Sequence, residues 1–151
     1  MRTCYWAITL LVSAISAGPT LANDHPYHHF HHALWELRDA RKELEEAKHD
    51  FGGHREKALH AVKGAIKQLE LILAYKDVSA KGSPTRGDLH EVYKKYKHHP
   101  HLHHALHEVK HAHHQIEETK HHDYGGHKKA ALHDMHHAIV EIEKCLKHAK
   151  K

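Results

Sequence analysis

The stretch ALWELRDARKELEEAKHDFGGHREKALHAV at residues 33–62 returns in changed form as ALHEVKHAHHQIEETKHHDYGGHKKAALHDM at residues 105–135. Both copies begin Ala-Leu-x-Glu, and after a one-residue insertion the motif FGGH at 51–54 matches YGGH at 124–127. The match extends over nearly the whole of each half of the chain. The sequence therefore contains an internal repeat, and this repeat decides the fold.

Each copy predicts a helix, a Gly-Gly turn and a second helix. A double glycine after a helical run favours a left-handed C-cap and a tight turn, and we expect the aromatic residue before it, Phe51 or Tyr124, to pack into the junction. Two helices joined this closely form an antiparallel αα-hairpin. Because one hairpin cannot bury its own apolar face, the two repeated hairpins predict an all-α four-helix bundle.

Apolar residues recur at intervals of three and four along the four predicted helices, which is the pattern of a helix with one buried face. The predicted core is rich in alanine and therefore thin. Its members are Leu34, Leu37, Ala40, Leu44, Ala47, Leu59, Val62, Ala65, Ile66, Leu69, Leu73, Leu102, Ala105, Leu106, Val109, Ala112, Ile116, Leu132, Met135, Ile139, Ile142 and Leu146.

We expect one domain in which a linker separates the two hairpins. The first hairpin covers 23–76, the linker 77–98 and the second hairpin 99–151. An Asp-Leu-His-Glu segment in the linker has the form of a helix start, and it predicts a short extra helix over 88–97. Pro100 suits the first turn of the third long helix.

Residues 1–22 are typical of a secretory signal peptide. Arg2 supplies a positive charge, residues 5–17 form an uncharged and mostly apolar run, and the small residues Thr20 and Ala22 in Thr-Leu-Ala at 20–22 favour cleavage. A membrane-spanning helix needs about 20 apolar residues, so the run is too short for a membrane anchor. We therefore expect a periplasmic or secreted protein whose mature form has no membrane span.

Histidine dominates the composition, with 25 residues among 151, beside 23 Lys and Arg and 19 Asp and Glu, so that the net charge is +4 with every imidazole neutral. Neutral imidazole is the commonest metal ligand, and it gains a proton as the pH falls below about 6.5. Lys and Glu alternate, and no basic patch with stacking aromatics occurs, which argues against nucleic-acid binding at neutral pH. The sequence has no Cys-x-x-Cys pair, which excludes a thiolate zinc site and covalent c-type haem.

Histidines repeat at intervals of three and four on the third helix, and helical phase predicts that they lie opposite its apolar stripe. Neighbours at i and i+4 lie close enough for two imidazoles to ligate one metal ion. This row consists of His103, His107, His111, His114, Glu118 and His121. Shorter rows on helix 4 and helix 1 are His133, His137 and Glu141, and His28, His32 and Glu36.

The candidate metal ligands come from these rows and from the histidine cluster before the third helix. Imidazole suits copper, nickel and zinc, and the affinity order of divalent ions favours copper(II). The candidates are His28, His32, His98, His99, His101, His103, His104, His107, His111, His114, Glu118, His121, His122, His133, His136 and His137.

Three further histidines have structural interpretations. His113 projects near the apolar stripe and is expected to be a partly buried structural residue. His54 and His127 follow the two Gly-Gly turns, where capping or junction packing competes with a paired site at one end of the bundle.

A few other side chains have the chemistry for catalysis or for soft-metal binding. Glu46 and Glu118 begin Glu-x-x-His motifs of the kind found in di-iron bundles, but they project away from the apolar stripes, and helices 2 and 4 lack a core-facing Glu at matching depth. Cys145 is expected to be a half-buried helix residue or, with Glu141 and His148, a soft metal site. Because no nucleophile–base constellation occurs, we expect no enzymatic activity.

The chain resembles the small periplasmic His-rich metal-binding proteins in its export signal, its four predicted helices and its repeated surface histidines. Its HALxELxxARxELxEAxHDFGGH pattern is also similar to that of uncharacterised exported bacterial proteins. The resemblance implies that the protein binds several divalent ions, copper prominent among them, for buffering or scavenging outside the cytoplasm.

The sequence is also consistent with two other functions of the histidines. The histidine face can act as a pH switch that binds anionic surfaces only when the imidazoles are protonated. An inward-facing histidine such as His113 can instead hold a non-covalent haem.

Overall fold

The computed structural model describes residues 27–76, 98–120 and 122–150. These residues form four helices and no strand, which confirms the predicted all-α four-helix bundle. The signal segment predicted over 1–22 and the short helix predicted over 88–97 lie outside the described residues. The helices are α1 (His28–Glu46), α2 (His54–Tyr75), α3 (Pro100–Glu118) and α4 (His127–His148).

The two hairpins pack together through equivalent helices. α1 packs against α3, and α2 against α4, over more extensive interfaces than those inside each hairpin. His32 on α1 lies beside His111 on α3, and Glu43 lies beside His101. α1 and α3 therefore run antiparallel, and we call the interface between them the seam.

The core follows the predicted apolar stripes. Phe51 and Tyr124 are buried at the hairpin junctions, as predicted, and the ring of Phe30 meets that of Tyr124 edge-on at 5.6 Å between centroids. No helix within the described ranges is both long and apolar enough to cross a membrane. Five predicted core residues at the edges of the stripes are only partly buried, namely Leu59, Leu106, Leu132, Ile139 and Leu146.

The Gly-Gly turns differ from the prediction. α1 ends at Glu46, and its C-cap Ala47 is extended rather than left-handed. Instead, Phe51, Gly52 and Gly53 all have positive φ, and Gly53, with φ +82°, is the N-cap of α2. Gly126 has the same role before α4 with φ +93°. The Asp50 carboxylate accepts a hydrogen bond from the Gly53 N–H at 2.7 Å. The glycines therefore start the second helix of each hairpin, because this carboxylate fixes the turn at the start of α2.

Equivalent ion pairs in the two hairpins reveal an approximate two-fold axis. Arg38 donates to Glu70 at 2.8 Å between α1 and α2, and Lys110 donates to Glu143 at 2.8 Å between α3 and α4. These residues occupy matching positions of the repeat. The internal repeat is therefore visible in individual side-chain contacts as well as in the sequence. The same symmetry relates contacts in the seam.

Candidate metal centre

Carboxylates are buried in the seam between α1 and α3. Glu36 and Glu108 are fully buried, and Glu43 is 4% exposed. Glu36 lies within the apolar stripe of α1, between Leu34 and Leu37, and Glu108 holds the equivalent position in the second repeat. Burying a carboxylate is costly unless it is paired or coordinates a metal. The seam must therefore supply each of them with a partner.

The first such set consists of His32, Glu36 and His111, which we call the His111 group. Glu36 Oε1 accepts a hydrogen bond from His111 Nδ1 at 2.5 Å and lies 3.1 Å from His32 Nδ1. The centroids of the two imidazole rings are 5.9 Å apart. Three ligand atoms thus converge from both sides of the seam.

A fourth side chain, Gln115, completes the His111 group. Its Nε2 lies 2.9 Å from His32 Nδ1 and 3.1 Å from His111 Nδ1. Its Oε1 is buried and makes no hydrogen bond within the described part of the chain. Because rotation about the terminal bond exchanges the amide oxygen and nitrogen, Gln115 can present an oxygen to a metal ion held by these imidazoles.

The second set consists of Asp39, His104 and Glu108, which we call the Asp39 group. His104 is 3% exposed. Its Nε2 lies 3.3 Å from Asp39 Oδ2 and 3.5 Å from Glu108 Oε1. Its Nδ1 lies 3.0 Å from Glu43 Oε1. One buried imidazole is therefore surrounded by three carboxyl groups.

The carboxyl groups determine the charge of His104. Burial alone would lower its pKa, but hydrogen bonds with Glu108 and Glu43 and the charges of Glu43 and Asp39 outweigh burial and raise the pKa of His104 to about 9. Burial raises the pKa of Asp39, whereas at Glu43 hydrogen bonds from His104 and His101 outweigh burial and lower the pKa. Without metal, His104 is therefore an imidazolium at neutral pH, and a metal ion must displace its proton.

The third set lies at one end of the seam and consists of Glu43, Glu46 and His101, which we call the His101 group. His101 Nδ1 donates to Glu43 Oε2 at 2.6 Å and lies 3.8 Å from Glu46 Oε2. The other oxygen of Glu43 contacts His104, so Glu43 connects this group to the Asp39 group. Glu46 is 46% exposed, which opens the His101 group to solvent.

The His111 group and the Asp39 group occupy equivalent positions of the two repeats. The approximate two-fold axis therefore relates two sites of four side chains each. At two of the four positions both groups have the same residue type. At the other two, the imidazole and the amide of the His111 group are replaced by carboxylates in the Asp39 group. The corresponding residues are His32 and His104, Glu36 and Glu108, His111 and Asp39, and Gln115 and Glu43.

Four of the predicted ligands meet in the seam, namely His32, His101, His104 and His111. His99 and His103 are half-buried near the start of α3, and His121 lies outside the described residues. The other predicted ligands are exposed and belong to none of the three groups. They are His28, His98, His107, His114, Glu118, His122, His133, His136 and His137.

The histidine row on α3 is divided between the seam and the solvent. His107 and His114 are exposed as predicted, but the prediction that the whole row lies opposite the core is wrong at His111, which reaches the buried Glu36. α3 packs against α1 along one edge of its stripe, so residues beside the stripe enter the seam. His107 stacks on His111 at 6.1 Å between centroids, and His114 lies 3.4 Å from Glu118.

His54 and His127 each contact the opposite hairpin. His54 Nδ1 donates to Glu141 Oε2 at 2.7 Å, and His127 Nδ1 donates to Gln68 Oε1 at 2.8 Å. Because α2 and α4 run antiparallel, the two histidines lie at opposite ends of the bundle. The alternative of a paired His54–His127 site is therefore wrong, and junction packing is their role.

Glu141 is buried, although the sequence predicted it at the end of the histidine row on the surface of α4. It is 3% exposed, and hydrogen bonds from Lys144 and then His54 outweigh burial and lower its pKa to about 2. Cys145 is fully buried rather than half-buried, and burial followed by the charge of Glu141 raises its pKa to about 11. The thiol is thus protonated at neutral pH, which disfavours a soft metal site.

His113 agrees with its structural interpretation. Its side chain is 25% exposed, and burial lowers its pKa. Glu46 and Glu118 are exposed, as the phase of their helices predicted.

The carboxylates of the seam are what sequence reasoning missed. Asp39, Glu43, Glu46 and Glu108 were not among the predicted ligands, and Glu36 was placed only at the end of a surface row. One signal was present in the repeat, because Glu36 and Glu108 interrupt the apolar stripe at the same position in both copies. A charged residue kept inside an apolar stripe marks a buried polar site.

Within the described residues, the three groups are those whose His, Asp or Glu ligand atoms all lie within 4.8 Å of one another. Imidazole nitrogen combined with carboxylate oxygen is a donor set that divalent transition metals accept. Comparisons with protein-family models, curated proteins and solved structures find no match to this chain. The functional assignment therefore depends on the geometry of the seam.

Proposed function

We propose that this protein is a non-enzymatic, exported metal-binding protein that holds divalent transition-metal ions in the seam. The observation that carries the proposal is the convergence of His and carboxylate ligand atoms in three groups, each within 4.8 Å. The affinity order of divalent ions favours copper(II), with nickel(II) and zinc(II) as the other candidates. Buffering or scavenging of these ions outside the cytoplasm is the role that fits such a site.

The balance of charge in the Asp39 group supports a metal rather than ion pairs alone. Histidine–carboxylate pairs also neutralise buried carboxylates, and the metal-free protein uses them in this way. Asp39, Glu43 and Glu108 all approach the buried imidazole of His104, while His101 also contacts Glu43 and His107 also contacts Glu108. At the position of His104, an imidazolium offers these carboxylates one positive charge, whereas a divalent ion would offer them two. A metal ion is therefore the better partner for this set.

The donors of the His111 group support the same conclusion. Two imidazole nitrogens, from His32 and His111, approach one oxygen of Glu36. A carboxylate that accepts from one imidazole does not require the second, whereas a metal ion uses both nitrogens. The Gln115 amide also faces both imidazoles, and rotation about its terminal bond would turn its buried oxygen toward the same place. The group therefore offers the four donors that a tetrahedral ion accepts.

The exposed histidines extend this function as weaker binding positions. His133 is 80% exposed on α4, and its neighbours His136 and His137 are exposed as well. Single exposed imidazoles bind divalent ions weakly and in competition with protons. They raise the capacity of the protein at high metal concentration, whereas the seam accounts for binding at low concentration.

Calorimetric titration of untagged protein with copper(II), nickel(II) and zinc(II) at pH 7.5 and pH 5.5 tests the proposal. We expect more than one ion to bind at pH 7.5 and binding to weaken at pH 5.5, because protons compete for the imidazoles. Quenching of Trp35 gives an independent signal for copper. Binding of less than one ion, or binding that is unaffected by pH, would contradict the proposal.

A matched pair of double variants separates the seam from the surface. The change of Glu36→Gln with Glu108→Gln keeps side-chain shape but removes one carboxylate from each symmetry-related group. We expect it to weaken tight binding by at least about tenfold, since even residues behind the metal ligands contribute about 10–100-fold. His133→Asn with His137→Asn should remove only weak binding. If the histidine double variant lost tight binding and the glutamate double variant kept it, the tight sites would lie on the surface. Circular dichroism checks that both variants remain helical.

A second candidate function, acid-dependent binding to anionic surfaces, is favoured by one observation. The exposed His133, His136 and His137 lie together on α4, outside the three groups. Imidazoles gain charge as the pH falls below about 6.5. Binding to an anionic polymer at pH 5.5 in the presence of a chelator, and its loss at pH 7.5 or in high salt, is the expected result. Equal binding at both pH values would exclude this function.

A further inference from the structure

The two symmetry-related groups of the seam differ in donor chemistry although they share a backbone framework. The His111 group offers two imidazoles, the carboxylate of Glu36 and the amide of Gln115. The Asp39 group offers the single imidazole of His104 and carboxylates from Asp39, Glu43 and Glu108. The repeat has therefore placed a nitrogen-rich site and an oxygen-rich site on opposite sides of one axis.

We propose that the His111 group and the Asp39 group are unlike metal sites that bind different classes of divalent ion. The His111 group takes an ion that prefers nitrogen ligands, such as zinc(II) or copper(II), and the Asp39 group takes an ion that prefers oxygen ligands, such as manganese(II). This inference rests on the proposed metal-binding function. It adds to it that the two halves of the protein select different metals.

Ligand preference is the first physical reason. Imidazole suits zinc, copper and nickel, whereas carboxylate, carbonyl and water suit manganese, magnesium and calcium. The exchange of His111 for Asp39 at equivalent positions replaces one imidazole by a carboxylate. The exchange of Gln115 for Glu43 replaces a neutral oxygen by an anionic one. Both exchanges act in the same direction, toward an oxygen-preferring ion at the Asp39 group.

Charge is the second reason. With neutral imidazoles, Glu36 is the only anionic ligand of the His111 group, whereas Asp39, Glu43 and Glu108 are all anionic in the other group. A divalent ion that forms weaker bonds to nitrogen depends more on electrostatic attraction to carboxylates. The additional carboxylates of the Asp39 group therefore strengthen its attraction for an oxygen-preferring ion, and this offsets the loss of one imidazole ligand. The Asp39 side chain is 26% exposed, so an ion bound beside it can keep water ligands.

Reciprocal variants of the full, untagged chain test the inference with zinc(II) and manganese(II) as the probes. Calorimetry measures zinc binding, and the electron paramagnetic resonance signal of free manganese measures manganese binding. In the parent protein, one equivalent of zinc should fill the His111 group and leave the Asp39 group available for manganese. Asp39→His should weaken manganese binding by at least about tenfold and create a second tight zinc site. His111→Asp should weaken zinc binding by a similar factor and create a second manganese site.

A conservative variant keeps the test informative if a swapped residue perturbs the fold. Glu43→Gln preserves shape and removes one charge, so it should weaken manganese binding more than zinc binding. Lys67→Gln, at an exposed position of α2 outside the groups, should change neither affinity. Equal zinc-to-manganese preference at both sites, or manganese binding unaffected by Asp39→His and Glu43→Gln, would overturn the inference while the metal-binding function stands. Failure of the parent protein to bind either ion would overturn both.

Discussion

His111 and Glu36 belong to different hairpins, and Nδ1 of His111 donates a hydrogen bond of 2.5 Å to Oε1 of the fully buried Glu36. This contact makes the candidate site and the interface between the hairpins one structure. A ligand that binds between the two residues holds α1 against α3. The proposed metal binding would therefore be coupled to the stability of the bundle, because an ion that binds only the folded state stabilises it by mass action.

Zinc(II) should raise the melting temperature of the protein. An ion at 100 times its dissociation constant adds about 2.7 kcal/mol to the free energy of unfolding. Glu36→Gln should reduce this gain, because it removes the carboxylate that His32 and His111 share. Thermal unfolding with zinc or with chelator measures the effect. His133→Asn is the control, and a gain that survives Glu36→Gln but is lost in the control would contradict the account.

The free energy of unfolding of the metal-free protein should fall as the pH rises from about 6.5 through 9. The pKa of His104 is raised to about 9, from an ordinary value of 6.5. A raised pKa stabilises the folded state fully below the unfolded value, and this contribution is lost as the pH passes the folded value. The loss is on the order of 2–3 kcal/mol.

Urea unfolding in the presence of a chelator at pH 6, 8 and 10 measures this loss. His104→Gln keeps a polar side chain but removes the titration, so its stability should change less over this range. A parent protein that gains stability between pH 6 and pH 9 would show that His104 is not held as an imidazolium by Asp39, Glu43 and Glu108.

Alanine at Gly53 or Gly126 should destabilise the bundle by similar amounts. Both glycines are left-handed N-caps, with φ +82° and +93°. A residue with a side chain pays roughly 1–2 kcal/mol in this conformation. Urea unfolding of Gly53→Ala and Gly126→Ala measures the cost, and zinc stoichiometry should be unchanged. Neutral or stabilising substitutions would mean that the turns relax to an ordinary helical conformation.

Glu141→Gln should destabilise the protein at neutral pH and much less in acid. The pKa of Glu141 is lowered to about 2 from an ordinary value of 4.5, first by the hydrogen bond from Lys144. A depressed pKa stabilises the folded state above the unfolded value, and the contribution is lost as the pH falls toward 2. Hydrogen bonds to a charged group contribute roughly 1.5–3 kcal/mol each.

Urea unfolding of the parent protein and the Glu141→Gln variant at pH 7, 5 and 3 measures the narrowing of the difference between them. Gln68→Glu introduces a carboxylate at the position equivalent to Glu141, opposite His127. It should stabilise the protein at neutral pH if the two positions are equivalent. A constant difference between parent and Glu141→Gln at all three pH values would argue that only shape matters there.

The fold was accessible from the sequence because its determinants are local. The internal repeat, the apolar stripes and the Gly-Gly motifs are all properties of neighbouring residues, and the structure has the predicted helices. The C-cap prediction failed because it ignored Asp50, whose carboxylate fixes Gly53 at the start of α2. The partner of each helix was not predicted. That α1 faces α3 depends on contacts between distant parts of the chain.

The candidate site was less accessible for the same reason. Helical phase placed His111 on the face of α3 opposite the apolar stripe, but it could not show that α1 would bring the buried Glu36 within reach of this side chain. Glu43 and Asp39 become ligand candidates only once α3 brings His101 and His104 against them. The high histidine content predicted imidazole ligands, whereas the candidate site is built around buried carboxylates.

Anomalous X-ray scattering from crystals of the zinc-loaded protein tests the central claim most directly. We predict a zinc peak in the seam, about 2.0–2.2 Å from a nitrogen of His111 and an oxygen of Glu36. Peaks found only at exposed histidines such as His133 and His137, with none between α1 and α3, would contradict the claim.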